Sequence, residues 1–291
     1  MTIEHAGEPS AAQIAARYGM QRAGARPSLA AYVRQLWGRR QFVWVYAVSR
    51  NAASNSGNFL GEAWNVLTPL LNAGVYFLVF GLLLDTKRGV DNYIAFLVIG
   101  IFFFEFCARA INVGSNAIRS NLGLLRSLHF PRAVLPIAVT LTSLQQLLYS
   151  LVVVFAVVLL TGEPITLYWL ELIPAVALQT VFCLGLALLF ARVGAHLPDA
   201  SQLLPFATRV WLYTSGILYS VDRFTEGRPE WLRIVLDVNP GAVYVNLARR
   251  ALIDHNYGDL STWLLAVGWS VGIFVIGFLV FWQGEEEYGR V

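Results

Sequence analysis
The chain has 291 residues, of which 57% are hydrophobic and 13% charged, with a formal net charge of +3. Soluble domains carry roughly 25% charged residues, so this composition excludes an ordinary soluble globule, and a net charge this small gives no reason to expect nucleic acid as a partner. The two cysteines, Cys107 and Cys183, sit inside apolar runs without metal-binding or redox spacing, where a thiol acts as a small hydrophobe.

Residues 1–28 lack a continuous apolar stretch and contain Glu4 and Glu8, so they read as a polar cytoplasmic tail, not a cleavable signal. Residues 29–62 read as an amphipathic helix and connector. Trp37, Phe42, Trp44 and Tyr46 beside Arg34, Arg39 and Arg40 suit a helix lying in the headgroup layer; the plainer alternative is a cytoplasmic helix capping the bundle. Residues 63–291 form a domain of about six spans, because an apolar run of about 20 residues crosses a bilayer as a helix. Runs 66–84, 133–161, 172–191 and 261–283 contain no Asp, Glu, Lys or Arg, whereas 93–112 holds Glu105 and Arg109 and 200–221 holds Arg209. The fold class is therefore an all-α integral membrane protein, since barrel strands would alternate over segments of about 10 residues. Glu105 and Arg109 are four apart and share a helical face, which makes a buried ion pair the first expectation and contact with an anionic headgroup the sharper one.

Between the second and third spans, NAIRSNLGLLRSL predicts a short amphipathic helix with Leu122, Leu125 and Leu128 on one side and Arg119 and Arg126 exposed. Pro131 then fixes a corner, because proline cannot continue a helix from the preceding turn without losing a hydrogen bond. This rigid projection reads as a handle for a soluble partner, or as a positive-inside loop. Residues 222–259 contain two amphipathic stretches separated by Asn239 and Pro240, too short to span. In the last run, Gly268 and Gly272 have the spacing of a close helix contact.

Basic residues in short loops stay cytoplasmic. Arginines crowd the tail, the loop after the second span (Arg109, Arg119, Arg126, Arg132) and positions 192, 209 and 290, so both termini are expected in the cytoplasm. A phosphate-cradling loop needs a glycine-rich turn and a lysine, and the one lysine, Lys87, falls in an outer loop. Any ATP must be hydrolysed by another subunit. The four histidines are too scattered for a metal site.

On these residues the chain resembles the polysaccharide-export branch of ABC transporter permeases, which includes the O-antigen and teichoic-acid exporters. Phe130, Pro131, Arg132, then Leu135 and Pro136 match its F-P-R and L-P pattern after the second span. Leu60, Gly61, Trp64 and Pro69 match its L-G, tryptophan and proline at the first span. Asn239, Pro240 and Arg249 or Arg250 match its outer N-P pair and arginine. The resemblance runs from about residue 29 to the C-terminus; it departs at Pro198, where the family commonly has arginine before the aspartate kept here as Asp199.

The resemblance implies a permease in the bacterial plasma (inner) membrane, a second copy of the chain and two separate nucleotide-binding subunits holding ATP and Mg. The chain itself would hold no cofactor and no metal. The substrate implied is a glycan on a polyprenyl pyrophosphate, an O-antigen or, given arginine in place of lysine almost throughout, a cell-wall galactan. Residues 116–132 would couple to the ATPase through Arg119, Leu122, Leu125, Arg126, Phe130, Pro131 and Arg132. Trp64, Tyr76, Phe77 and Phe80 with Phe206, Trp211, Tyr213 and Tyr219 would line an aromatic channel, unless they face lipid or mark its interface. Short outer helices before the last span, with Asn239, Pro240, Arg249 and Arg250, would form a gate. Competing expectations are an ABC permease for drugs or lipids, a membrane-bound glycosyl or acyl transferase, and a secondary transporter.

Overall fold
In lipid every backbone polar group must be satisfied internally, and a chain this apolar meets that demand with helices. The computed structural model describes residues 27–54, 59–83, 90–128 and 130–288. Most of the polar tail, the loop with Lys87 and Arg88, His129 and Arg290 lie outside the described residues. Those described are all-α, with no strand among them.

Five helices are long and apolar enough to cross a membrane: Val66–Leu83, Tyr93–Ser115, Val134–Leu160, Leu167–His196 and Leu260–Gln283. The first takes in most of α3 (Trp64–Tyr76), which continues into wider π-type turns over Phe77–Leu83. The second is α4 (Tyr93–Ser115). Asn92 starts it by accepting the Ala95 N–H at 3.2 Å, an N-cap that satisfies one orphan donor. Apolar on every face except for Glu105, Arg109 and Asn112, α4 is buried along most of its length, as a helix so largely apolar must be, and forms the centre of the bundle. The third span is α6 (Val134–Leu160), the fourth contains α7 (Leu172–His196), and the last is α12 (Leu260–Gln283).

The run 200–221 departs from expectation. It gives α8 (Ala200–Thr214), 15 residues long, which at ~1.5 Å per residue reaches ~22 Å against a hydrocarbon core of ~30 Å. The chain then turns at Gly216, where φ is +62°. A helix ending inside a bundle leaves carbonyls without partners, and here the buried Arg249 donates to the carbonyls of Gly216 and Ile217 at 3.1 and 2.8 Å.

Close packing also falls at different glycines from those the spacing singled out. Gly268 and Gly272 have nothing within 4 Å of an added Cβ. The approach is between α7 and α12, where a Cβ on Gly185 would lie 2.5 Å from the Ile273 carbonyl carbon and one on Gly277 would collide with the Gly185 carbonyl. Beside it Cys107 and Cys183, both free and buried, place their sulfurs 3.6 Å apart.

The amphipathic helix expected within 29–62 is two helices, α1 (Leu29–Gly38) and α2 (Arg40–Ser54). Val43 clusters with Val134 and Ala138, the Thr142 hydroxyl donates to the Ala47 carbonyl at 3.2 Å, and the Gln146 amide donates to Asn51 Oδ1 at 3.2 Å. Contacts that step by four on both helices in the same direction make α2 run parallel to the first half of α6, not across its end. Trp37 and Trp44 point outward.

After α4 the chain makes a turn at Arg119–Asn121 and a single helical segment, α5 (Leu122–Ser127). Its apolar anchors are Leu124 and Leu125, which pack on the cluster around Tyr32 and Phe281; Leu128 is exposed, because the backbone is already extended there. Beyond α8 come α9 (Val221–Thr225), the amphipathic α10 (Glu230–Val238) and α11 (Pro240–Arg249). Trp231, Ile234 and Val235 on α10 are exposed, while α11 is buried over most of its length.

Candidate functional site
Three regions hold the residues picked out from the sequence. The first is a cavity of about 410 Å³ between α3, α4 and α8. Its aromatic walls are Tyr76, Phe104 and Tyr213, and Asn72, Glu105, Asn112, Thr208 and Arg209 supply its polar surface. The Tyr76 and Tyr213 rings meet edge to face, 6.5 Å between centroids, a favoured aromatic geometry. Asn112 donates to the Thr208 hydroxyl at 3.2 Å, while its Oδ1 is buried without a partner among the described residues. Of the eight aromatics expected in a channel, the structure brings Tyr76 and Tyr213 together here. Phe80 packs near Tyr76 and Phe77 against Tyr93. Trp211 packs on Phe104, 5.0 Å between centroids, and donates to Asn239 Oδ1 at 2.8 Å. Trp64 and Phe206 are exposed away from the cavity lining, and Tyr219 stacks near Phe224 on the other side of the turn.

Glu105 and Arg109 do pair: Arg109 Nε donates to Glu105 Oε1 at 3.2 Å. The pair is part of a longer chain, since Arg109 also donates to Gln146 Oε1 and Gln146 to Asn51. A charge among apolar spans persists chiefly when it is paired in this way.

The second region is the corner at Phe130, Pro131 and Arg132. Glu285, two residues beyond α12, turns back on it. Its Oε1 accepts the Arg132 N–H at 2.9 Å and its Oε2 accepts the Tyr32 hydroxyl at 2.7 Å, while Tyr32 in turn accepts the Ala133 N–H at 3.1 Å. A carboxylate and a phenol thus satisfy two donors at the start of α6, where helix N–H groups lack intrahelical partners. Burial holds the Glu285 carboxyl above its ordinary value, outweighing those hydrogen bonds, and burial plus the neighbouring Glu285 pushes the Tyr32 phenol upward. Phe42 packs on Phe130, 5.5 Å between centroids, and Tyr46 donates to Asn121 Oδ1 at 2.5 Å. Beside these contacts lies a groove of about 600 Å³ lined by Leu122, Leu125, Arg126, Phe130, Pro131 and Arg132 together with Tyr32, Arg39 and Glu285. Of the coupling residues expected, Arg119 lies outside this groove, on the turn before α5.

The third region is the segment of residues 222–259 between α8 and α12. Asn239 caps α11 by accepting the Gly241 N–H at 3.0 Å, and Pro240 takes the first helical position, where its missing N–H costs nothing. Arg249 is 5% exposed; it donates to the carbonyls of Phe96, Gly216 and Ile217 and lies over the Phe96 ring. Both arginines line a cavity of about 940 Å³, and Arg250 pairs there with Asp259 at 2.5 Å.

Spacing gave no sign of Glu285, which sits in an acidic GEEE run that reads as a solvated end, nor of Tyr32, 253 residues away in sequence. Arg209 and Asn112 were visible as polar residues in apolar runs, and a search for polar side chains on neighbouring spans would have found them together.

Apolar spans around a polar, aromatic-walled cavity, with an ordered projection at one end, define the membrane subunit of a transporter. More particularly, the chain belongs to the ABC-2 type transporter family, whose profile matches residues 43–253. It is 25% identical over 237 residues to the O-antigen export system permease protein RfbA of Klebsiella pneumoniae, covering 80% of this chain and 88% of that protein. It is 24% identical over 259 residues to the RfbA of Myxococcus xanthus, covering 89% and 98%. To the polysialic acid transport protein KpsM of Escherichia coli it is 25% identical over 244 residues, covering 81% and 91%. The chain is thus a multi-pass ABC permease and not an enzyme, and its partner is a separate ATP-binding subunit that carries the ATPase.

Proposed function
We propose that this chain is the membrane half of an ATP-driven exporter that moves a lipid-linked polysaccharide, a glycan on polyprenyl pyrophosphate, across the bacterial inner membrane. Two copies work with two ATP-hydrolysing subunits, which hold ATP and Mg, and both termini face the cytoplasm. The observation that carries this reading is the cavity between α3, α4 and α8, where Tyr76, Phe104 and Tyr213 stand beside hydrogen-bonding groups in otherwise apolar spans. Sugar rings present C–H faces that pack on aromatic faces and polar edges that need hydrogen bonds. Few small apolar cargoes need both. In cells lacking the native gene, Tyr76→Ala plus Tyr213→Ala is expected to leave the protein in the membrane and to lower surface polysaccharide at least about fivefold, the ratio that ~1 kcal/mol of lost contact sets. Wild-type surface polysaccharide in that variant would remove the channel from this place.

The groove at the corner supports docking of the ATP-hydrolysing subunit there, with α5 and the Phe130–Arg132 corner as the coupling element and α10 and α11 as the outer gate. ATP binding then biases the two copies toward one arrangement, through its different contacts with each. Arg126→Glu plus Arg132→Glu is expected to reduce co-purification of the ATPase by about tenfold, because reversing charge at a docked surface turns attraction into repulsion. Full co-purification with full ATPase activity would place docking elsewhere.

A further inference from the structure
Two ionisable side chains, Glu105 and Arg209, line the cavity between α3, α4 and α8, and a third, Arg109, reaches it through its pair with Glu105. Glu105 is held by Arg109 on its own helix, and Arg109 is further engaged by Gln146. Arg209, on α8, lines the same cavity as Glu105 and has no hydrogen-bond or ion-pair partner among the described residues. One carboxylate against two guanidinium groups leaves the region net positive. A guanidinium among apolar spans calls for an anion or water, and its planar fork matches the paired oxygens of phosphate or carboxylate.

A second observation is independent of charge. Asn112 Oδ1 is a buried acceptor without a partner among the described residues, while its amide is turned toward Thr208, the residue beside Arg209. A buried acceptor of this kind is unfavourable until a donor reaches it, and a hydroxyl is such a donor. The Tyr76, Phe104 and Tyr213 rings then provide apolar faces around both groups. A cation, a hydroxyl acceptor and aromatic faces in one cavity match a sugar that bears an oxyanion better than a neutral glycan or a bare lipid.

We propose that Arg209 and Asn112 form a subsite for an oxyanion-bearing sugar, Arg209 binding the phosphate or carboxylate and Asn112 accepting a hydroxyl of the same sugar. This rests on the polysaccharide-export reading and names its charged contact. The oxyanion has two sources, the phosphate at the lipid-linked end or the carboxylate of an acidic sugar unit.

The test uses the chain assembled with its ATP-binding subunit in nanodiscs of zwitterionic lipid. Three probes are titrated: farnesyl-diphosphate-linked N-acetylglucosamine, farnesyl glucuronide and the uncharged farnesyl N-acetylglucosaminide. Arg209→Gln is expected to weaken at least one charged probe by about tenfold or more and the neutral probe by less than about twofold, as for one lost charge-assisted contact. Arg209→Lys, which keeps the charge but loses the planar fork, is expected to fall between wild type and Arg209→Gln for the charged probes. Asn112→Leu weakens all three, because the hydroxyl is common to them. A response confined to the diphosphate places the lipid-linked end at Arg209, and one confined to the glucuronide places an acidic sugar there.

Unchanged affinity for both charged probes in Arg209→Gln overturns the subsite. Equal loss for the neutral probe overturns it too, assigning Arg209 to the bundle or to a second copy. Displacement of the probes by equimolar phosphatidylglycerol overturns it in favour of a bulk lipid headgroup. Arg209-dependent binding in a complex that carries no polysaccharide to the surface keeps the subsite and removes the exporter reading; the reverse result keeps the exporter and removes the subsite.

Discussion

Glu285→Ala is expected to destabilise the solubilised protein by about 3 kcal/mol, because it leaves the Arg132 N–H and the Tyr32 hydroxyl without their acceptor at a site shut off from water, and each such loss costs about 1–3 kcal/mol. Glu285 is 7% exposed and Tyr32 1%, so solvent is poorly placed to substitute. Tyr32→Phe keeps the ring in place and removes the hydroxyl alone, leaving the Ala133 N–H and one Glu285 oxygen unpaired. The two changes act on one network, so the double variant should fall short of the sum of the singles. Thermal unfolding of the four proteins in one detergent measures this, and strict additivity would show that the contacts are not coupled. Glu285→Gln keeps an acceptor for the Arg132 N–H and should be far milder.

The same carboxyl gives the pH dependence a sign. Burial holds it above its ordinary value in the folded protein, so the folded state binds this proton more tightly than the unfolded chain does. Stability contributed at this site is therefore present at low pH and declines as pH rises from the ordinary carboxylate range through the folded-state value. Glu285→Gln cannot titrate and should lose that part of the slope. Because the network ties α1, the start of α6 and the end of α12 to the Phe130–Arg132 corner, loosening it should also weaken co-purification of the ATP-hydrolysing subunit.

Much of the bundle was legible in the sequence because the membrane enforces a local rule. A span must carry its own apolar length, so runs near 66, 93, 134, 172 and 261 announced themselves, and the Asn239–Pro240 break marked a helix start that the Asn239 cap and Pro240 realise. The Glu105–Arg109 pair was legible for the same reason, being four apart on one helix. What stayed hidden depends on contacts between distant segments. Gly216 is the one local sign that α8 ends after 15 residues, and the arginine that holds the turn lies 35 positions beyond the last helical residue. Gly185 and Gly277 look no different in sequence from Gly268 and Gly272; they differ in what stands opposite. Aromatic residues were equally indistinct, since Trp64 and Phe206 carry the same composition signal as Tyr76 and Tyr213 but face elsewhere. The direction of α2 also escaped, because an arginine- and tryptophan-rich helix has the same composition whether it lies across the end of a bundle or runs beside a span.

Arg249→Gln should be among the most damaging single changes in the helices that follow α8, and its effect should appear in stability before export. The guanidinium donates through Nε and Nη2 to the Phe96 carbonyl at 3.2 and 3.0 Å, and through Nη1 and Nη2 to Gly216 and Ile217 at 3.1 and 2.8 Å. With these bonds made, little of the group is left to meet a passing substrate. Gly100 makes room for it, since a Cβ there would sit 2.6 Å from Nη2. Glutamine is too short and has too few donors to serve three carbonyls, so the turn that ends α8 is left unsatisfied, at a cost of about 3–5 kcal/mol. Arg250→Gln breaks a pair whose Asp259 partner is largely exposed, which is worth no more than about 1 kcal/mol, and should leave unfolding unchanged. Surface polysaccharide then separates an anchor from a gate. If Arg249→Gln lowers thermal stability and export together while Arg250→Gln lowers export alone, the two adjacent arginines have different work, one holding the turn at the end of α8 and the other facing the exit. A stable Arg249→Gln protein that fails to export would instead put Arg249 itself in the gate, and its four bonds to three carbonyls would belong to one state of a moving element.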